Sequence, residues 1–208
     1  MGEILKFPGD AVKLGYSRVR KRVRRVEDPN QLDLFLAATA RFSSSGQGQS
    51  LFEQALLSDE RGDLQAAELY TKAIESQDCV PDAFCNLGII ESKKGNTAKA
   101  FDCFTTSLKH DPRHSEAHYN LANLYFELND FRLAQIHYEM AAEVDPSFAN
   151  IFFNLALVQS INNEPAAATK TLLSYQKLVS PDEARHADEL LHTLRQTLAA
   201  TRGSRLGV

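Results

Sequence analysis

The sequence predicts an all-α fold in which antiparallel helix pairs stack into a superhelix. Small and apolar residues recur at a step of 34 residues, and helical periodicity runs from about residue 47 to residue 201. No stretch of this region shows the alternation that is typical of a strand. The recurring positions include Leu87-Gly88, Leu121-Ala122, Leu155-Ala156, Ala100, Ala134, Ala168, Phe104, Tyr138, Leu172, Asn86, Asn120, Asn154, Pro112 and Pro146.

Each repeated unit divides into two helices. The first helix places Leu beside a small residue, so that the second helix can approach closely. A turn follows, marked in successive units by Gly95, Asn129 and Asn163. The second helix carries Ala, a large apolar residue and Ala at i, i+4 and i+7, which lie on one helical face. An Asp-Pro pair, as at Asp111-Pro112, ends the unit because proline disfavours helical backbone before it.

Four such units and a closing helix are predicted. Residues 47–182 form the four repeats, of which the first, at about 47–80, is degenerate. Gly62 falls one residue late in that repeat, so we infer a one-residue insertion before its turn. The amphipathic stretch 183–202 is predicted to be a capping helix that covers the apolar face of the last repeat, and residues 203–208 a flexible end.

The units resemble the tetratricopeptide repeat family. The resemblance covers about three quarters of the chain and rests on Phe84, Leu87, Gly88, Ala100, Phe104, Pro112, Leu121, Ala122, Tyr125, Ala134, Tyr138, Ala141, Pro146, Phe152, Leu155, Ala156 and Ala168. It implies a right-handed superhelix whose first helices line a concave groove. It also implies a non-catalytic protein-protein interaction scaffold with no cofactor, in which the groove binds an extended peptide segment.

The family pattern assigns groove-facing positions within each repeat. Asn86, Asn120 and Asn154 form a ladder there, and an Asn amide both donates and accepts, so it can pair with peptide backbone. An alternative is that these Asn side chains cap or bridge neighbouring helices. The further groove positions include Asp59, Glu60, Lys93, Tyr119, Asn123, Phe126, Glu127 and Phe153, of which Tyr119, Phe126 and Phe153 are expected to contact apolar side chains. Because Lys93 alone is basic, we expect a neutral, apolar or mildly basic peptide rather than a C-terminal carboxylate.

The sequence carries no pattern that points to catalysis, a membrane span or a bound metal. No nucleotide-binding, hydrolase or metalloprotease motif occurs, and no apolar run approaches the roughly 20 residues that span a bilayer. His110, His114 and His118 stand four residues apart, but Pro112 breaks the helix that would align them, so surface and packing roles are expected. Three cysteines without CxxC spacing favour a reducing compartment, and we expect a cytoplasmic protein.

Charge is distributed unevenly along the chain. Residues 1–46 hold nine Lys or Arg and five Asp or Glu, a net charge of +4, while residues 47–208 carry −8. The first segment lacks sustained periodicity and is predicted to be mostly disordered, with a short helix near residues 32–41. Its basic patch consists of Arg18, Arg20, Lys21, Arg22, Arg24 and Arg25. Three interpretations stay open: the patch binds nucleic acid, docks on the acidic repeats, or is solvated.

A linear motif is predicted after the basic patch. Gln31-Leu32-Asp33-Leu34-Phe35 resembles the pentapeptide by which bacterial replication and repair proteins bind the polymerase sliding clamp. Gln31 would be hydrogen-bonded and Leu34 and Phe35 would enter a small groove on the clamp. The second function hypothesis is therefore a DNA-associated adaptor. An alternative is that Leu32, Leu34 and Phe35 dock on the first repeat.

Overall fold

A computed structural model describes residues 15–20 and 49–205 and confirms the all-α helical array. Within those ranges the chain forms helices and no strand. The helices, numbered in chain order, are α1 (Leu51–Glu60), α2 (Ala66–Glu75), α3 (Val80–Lys93), α4 (Thr97–His110), α5 (Ser115–Glu127), α6 (Phe131–Val144), α7 (Ala149–Ile161), α8 (Pro165–Gln176) and α9 (Pro181–Arg205). Each helix packs against the next one, most extensively within the pairs α1–α2, α3–α4, α5–α6 and α7–α8.

The turns inside the helix pairs are those that the sequence predicts. Gly95, Asn129 and Asn163 have φ values of 80°, 61° and 63°, in the left-handed region that Gly and Asn adopt most readily. Gly62 has a φ of 72° in the first pair. It lies one position closer to Gly95 than the repeat step requires, which agrees with the predicted shift of the first repeat.

Gly88 permits a close approach of the two helices in its pair. A Cβ atom at this position would lie 2.7 Å from Cε1 of Phe104 and 3.1 Å from Cβ of Cys103. Phe104 belongs to α4 and is completely buried. The small residue of the repeat therefore does what the sequence predicts, because any side chain on α3 here would push α4 away.

The last helix covers the open side of the fourth pair. Ala187, Leu190, Leu191 and Leu194 of α9 are buried in one cluster with Phe153, Leu172 and Tyr175. Helix α9 continues to Arg205, so three residues that were expected to belong to the flexible end are helical. No helix in the ranges that the structure describes combines the length and the apolar character needed to cross a membrane.

Candidate functional site

The concave face of the array is occupied by the chain's own residues 15–20, which we call the groove segment. The segment is extended and contacts the first helices of three successive pairs. The Asn86 side chain accepts from the Val19 backbone N–H at 2.8 Å and donates to the Val19 carbonyl at 3.1 Å. Asn120 makes the same two bonds with Ser17, at 2.7 and 2.9 Å. Residues 1–46 were expected to be mostly disordered, and these six residues depart from that expectation.

The two amides are spaced to match an extended backbone. Asn86 and Asn120 occupy equivalent positions in neighbouring repeats, and they bind residues that stand two apart in the segment. In an extended chain such residues present their backbone groups to the same side. Asn123 adds a longer bond of 3.4 Å to the Gly15 carbonyl. On the segment these bonds engage only backbone atoms, so they set its position along the groove without specifying its direction or its side chains.

Specific side-chain contacts begin with an ion pair. The Arg18 guanidinium binds the Asp59 carboxylate through Nε at 2.5 Å and through its terminal nitrogen at 2.8 Å. The Asp59 side chain is only 9% exposed, and the oxygen that contacts Nε also lies 3.5 Å from the Tyr70 hydroxyl. The contact through the terminal nitrogen is a charge-assisted hydrogen bond, which is stronger than a neutral one, and the Nε contact adds the attraction of opposite charges at short range. Arg20 lies 3.8 Å from Glu60, but both side chains are exposed, so that pair contributes little.

Val19 enters an apolar pocket. It is completely buried in a cluster formed by α3, α4 and α5, together with Cys85, Ile89, Ala100, Phe104, Ala117, Leu121 and Leu124. Asn86 holds the backbone of the same residue on both of its polar groups. The pocket is therefore filled by a side chain whose main chain cannot shift along the groove without breaking two buried hydrogen bonds.

Tyr16 makes both apolar and polar contacts. Its ring stacks on Phe104 with a centroid distance of 6.1 Å and an interplanar angle of 19°. Its hydroxyl donates to Glu127 at 3.0 Å and accepts from Ser92 at 2.6 Å. Burial is the main reason why the pKa of Tyr16 is raised to about 12, so the phenol stays neutral and can donate.

The segment runs opposite to the order of the repeats. Arg20 and Arg18 contact the end of α1, Val19 contacts α3, and Ser17 and Gly15 contact α5. The direction is set by side chains at its two ends, because the Asn amides would pair with a reversed strand as well. Glu127 receives the Tyr16 hydroxyl at one end, and Asp59 receives Arg18 toward the other.

The ladder also bridges helices, as the alternative interpretation held. Besides the segment, Asn86 donates to the Tyr70 hydroxyl at 3.1 Å, and Asn120 contacts the Cys85 sulfur at 3.3 Å. Asn154 makes only such internal contacts among the described residues: its amide lies 3.3 to 3.4 Å from Tyr119, Asn123 and Tyr138. The structure thus joins both roles in two of the three ladder residues and gives Asn154 the bridging role.

The predicted aromatic contacts lie elsewhere than expected. Tyr119 is fully buried against Tyr138 and Phe148, and Phe153 is buried against Tyr175 beneath the capping helix. Phe126 is partly buried and packs edge-on against Phe131. Tyr119 and Phe153 precede the ladder asparagines, and residues at this position point between neighbouring repeats. They therefore belong to the core. The groove segment makes an apolar contact instead with Phe104, which lies in α4, the second helix of its pair.

Lys93 and the histidines lie outside the bonds that hold the segment. Lys93 is exposed at the rim of a depression that Arg18 and Asp59 also line. His114 caps α5 by accepting from the Ala117 N–H at 3.1 Å. His118 faces His137 at 3.0 Å between their Nδ1 atoms, a packing role that the repeat pattern predicts. No group of metal-ligating side chains occurs in residues 15–20 and 49–205.

The other tail predictions fall mostly outside the described residues. Of the basic patch, Arg18 and Arg20 face carboxylates of the first repeat, whereas Lys21, Arg22, Arg24 and Arg25 lie outside. The motif residues Gln31, Leu32, Leu34 and Phe35 lie outside as well. Sequence reasoning missed Tyr16 and the insertion of the segment into the groove. The sequence feature that came nearest to predicting this insertion was the opposite net charge of the tail and the repeats.

Comparison with known proteins supports the architecture. The family model for the tetratricopeptide repeat matches residues 115–148. The crystal structure of MamA is similar, with a TM-score of 0.55 and 14% identity, covering 76% of this chain and 99% of that one. The TPR2B domain in the pHsp70 complex of yeast Sti1 has a TM-score of 0.50 and 23% identity, covering 56% and 97%.

A third solved structure is the first TPR of Spaghetti (RPAP3) bound to the HSP90 peptide SRMEEVD. It has a TM-score of 0.49 and 23% identity, covering 54% of this chain and 87% of that one. Comparison with curated proteins finds no match.

Proposed function

We propose that the chain is a member of the tetratricopeptide repeat family, whose model matches residues 115–148, and that it is a non-catalytic scaffold whose concave groove binds an extended peptide segment of a partner protein. One observation carries this proposal: Asn86 and Asn120 each pair with both backbone groups of an extended strand. Proteins of this family are generally interaction modules. The TPR2B domain of yeast Sti1, which shares the fold, was solved as a complex with pHsp70.

The chemistry of the groove suits a peptide better than a small molecule. Its polar groups are spaced for consecutive peptide units, and the apolar pocket of Val19 accepts one side chain from a strand that the amides hold in place. A backbone N–H or C=O that is buried without a partner costs about 1–3 kcal/mol. The ladder therefore favours strands that bring both groups to each Asn.

The adaptor hypothesis gains no comparable support from the described part of the chain. There Arg18 is paired with Asp59 and is not positioned for phosphate, and the exposed Arg20 lies 3.8 Å from Glu60. We keep the cytoplasmic location as part of the proposal, since three cysteines without CxxC spacing fit a reducing compartment.

The test is selection of peptides from a random displayed library by the full-length chain. Its own segment is weakened by Arg18→Glu and Val19→Asp, and we call this variant the opened chain. We expect enriched peptides whose binding falls about tenfold or more when Asn120→Leu is added, because Leu keeps the branched shape of Asn but removes both bonds.

Asn154→Leu is the matched control. It removes the same group at the equivalent position but touches no residue of the groove segment. Peptides that bind the Asn120→Leu and Asn154→Leu proteins equally well would contradict the proposal, and so would a library from which no peptide is enriched.

A further inference from the structure

The groove segment identifies the kind of partner. Resting on the proposed function, we infer that the groove takes an extended, basic polypeptide segment with an aromatic residue, an arginine and a small β-branched residue at the places of Tyr16, Arg18 and Val19. The chain's own residues 15–20 occupy those places until the partner displaces them. Three subsites and the connection between segment and repeats support this inference.

The arginine subsite is built around Asp59. The Asp59 side chain is 9% exposed and receives the Tyr70 hydroxyl on one oxygen, so without a cation it would be a poorly solvated charge. The planar guanidinium of Arg18 binds both oxygens, a geometry that the ammonium group of lysine cannot reproduce. Glu60 and Glu127 at the two ends of the segment add negative charge. A basic segment with arginine at this place therefore fits the groove.

The apolar subsite restricts the next residue by size. Val19 has no exposed surface, and Phe104, Ile89 and Leu121 surround it. Because Asn86 holds both backbone groups of Val19, a larger side chain cannot be accommodated by moving the strand. Alanine would leave a cavity, which costs stability in proportion to its volume. Valine, or a residue of similar shape and size, is expected.

The aromatic subsite favours tyrosine over phenylalanine. The ring of Tyr16 lies on Phe104, while its hydroxyl joins Ser92 to Glu127. Phenylalanine would keep the stacking but lose both hydrogen bonds. The three subsites are spaced along one strand, so together they define the pattern aromatic-x-Arg-Val and place it in a single direction.

The connection to the repeats allows the segment to fill its own groove. Arg20 lies near Glu60, the last residue of α1, and α1 has ten residues, about 15 Å in length. The stretch of chain between Arg20 and Gln49 is far longer than this distance requires, since an extended chain covers about 3.3–3.6 Å per residue. A tethered ligand acts at an effective concentration in the millimolar range. A partner segment must therefore compete with the chain's own groove segment, which has the same chemistry and is always present.

A labelled synthetic peptide with the sequence of residues 12–22 tests the inference. We expect it to bind the opened chain at least tenfold more tightly than the wild-type chain, whose groove is filled. Changing the peptide arginine at position 18 to Glu should weaken binding to the opened chain at least tenfold, and lysine should weaken it less. Adding Asp59→Arg to the opened chain should reverse the preference between the Arg and Glu peptides.

The outcomes separate this inference from the proposed function. If library peptides depend on Asn120 but lack the aromatic-x-Arg-Val pattern, the scaffold stands and the inference is overturned. If neither the library peptides nor the labelled peptide binds, both the proposed function and this inference are overturned. Equal binding of the labelled peptide to wild-type and opened chains would overturn the self-occupied groove.

Two further measurements keep the test interpretable. Circular dichroism checks that the opened chain retains its helices, and Arg18→Glu alone replaces the double variant if it does not. Sedimentation of the wild-type chain at rising concentration should show a monomer. A dimer that Arg18→Glu dissociates would show that a second copy supplies the segment, and would overturn the intramolecular arrangement.

Discussion

Substitution of Asn86 by leucine separates binding of the groove segment from folding of the array. Leucine has the same branched arrangement of side-chain heavy atoms as Asn but removes the two bonds to Val19 and the bond to Tyr70. Val19 is completely buried, so both of its backbone groups would be left without water or a partner. At about 1–3 kcal/mol for each group, the penalty would reach about 2–6 kcal/mol.

The segment can avoid that penalty by leaving the groove. Once released, its backbone groups are hydrated again, so the loss is limited to the free energy with which the segment was bound. We therefore expect a local effect: amide hydrogen exchange at Val19 accelerates by about 100-fold or more, equivalent to about 2.7 kcal/mol. Overall stability falls by the same binding free energy and by the lost Tyr70 bond, which contributes about 1 kcal/mol.

Asn154→Leu provides the comparison. It removes an amide at the equivalent position, with contacts to Tyr119, Asn123 and Tyr138, and should lower overall stability while leaving exchange at Val19 unchanged. Hydrogen exchange followed by mass spectrometry or NMR measures both effects. If the Val19 amide is equally protected in the wild-type and Asn86→Leu chains, the ladder does not hold the segment and the reasoning is refuted.

Three other predictions concern the array. Gly88→Ala should destabilise by about 1–2 kcal/mol in denaturant unfolding, since overpacking against Phe104 outweighs the better helix propensity of Ala; an unchanged midpoint would contradict the close approach. Burial lowers the pKa of His137 from 6.5 to about 4, so the ring takes up its proton at a lower pH in the folded state than in the unfolded chain. A shift of this size corresponds to about 3 kcal/mol, which solvent screening of the partly exposed ring reduces to about 1–2 kcal/mol. This stability is present above pH 6.5 and should be lost as the pH falls toward 4, and His137→Gln should reduce that loss. Leu194→Ala should cost about 2–5 kcal/mol by opening a cavity under the capping helix, and a neutral result would show that α9 is not packed there.

The fold follows from the sequence because its contacts are local and repeated. The same repeat step recurs through three units, so each weak signal at Gly88, Gly95 or Phe104 is reinforced by its equivalents. The capping helix follows from the same logic, since an apolar face must be covered.

The candidate site was only partly predictable. The amides of Asn86 and Asn120 were expected to bind extended backbone, but their occupant comes from 67 and 103 residues away in the chain. Six residues without a repeat carry no periodic signal for such a contact. Tyr119 and Phe153 were misplaced because a position number within a repeat does not tell whether a side chain lies in the groove or between two helix pairs.

The groove segment has a mechanical consequence for the array. Helical repeats interact mainly with their nearest neighbours, so their stability is approximately a sum of adjacent terms and the ends fray independently. The groove segment adds a long-range contribution to the stability of the array, because its six residues contact α1, α3 and α5 together. The first three repeats should therefore unfold as one cooperative block, while the fourth is held only by the third pair and by α9. Without the groove segment, the first three repeats should unfold separately rather than together.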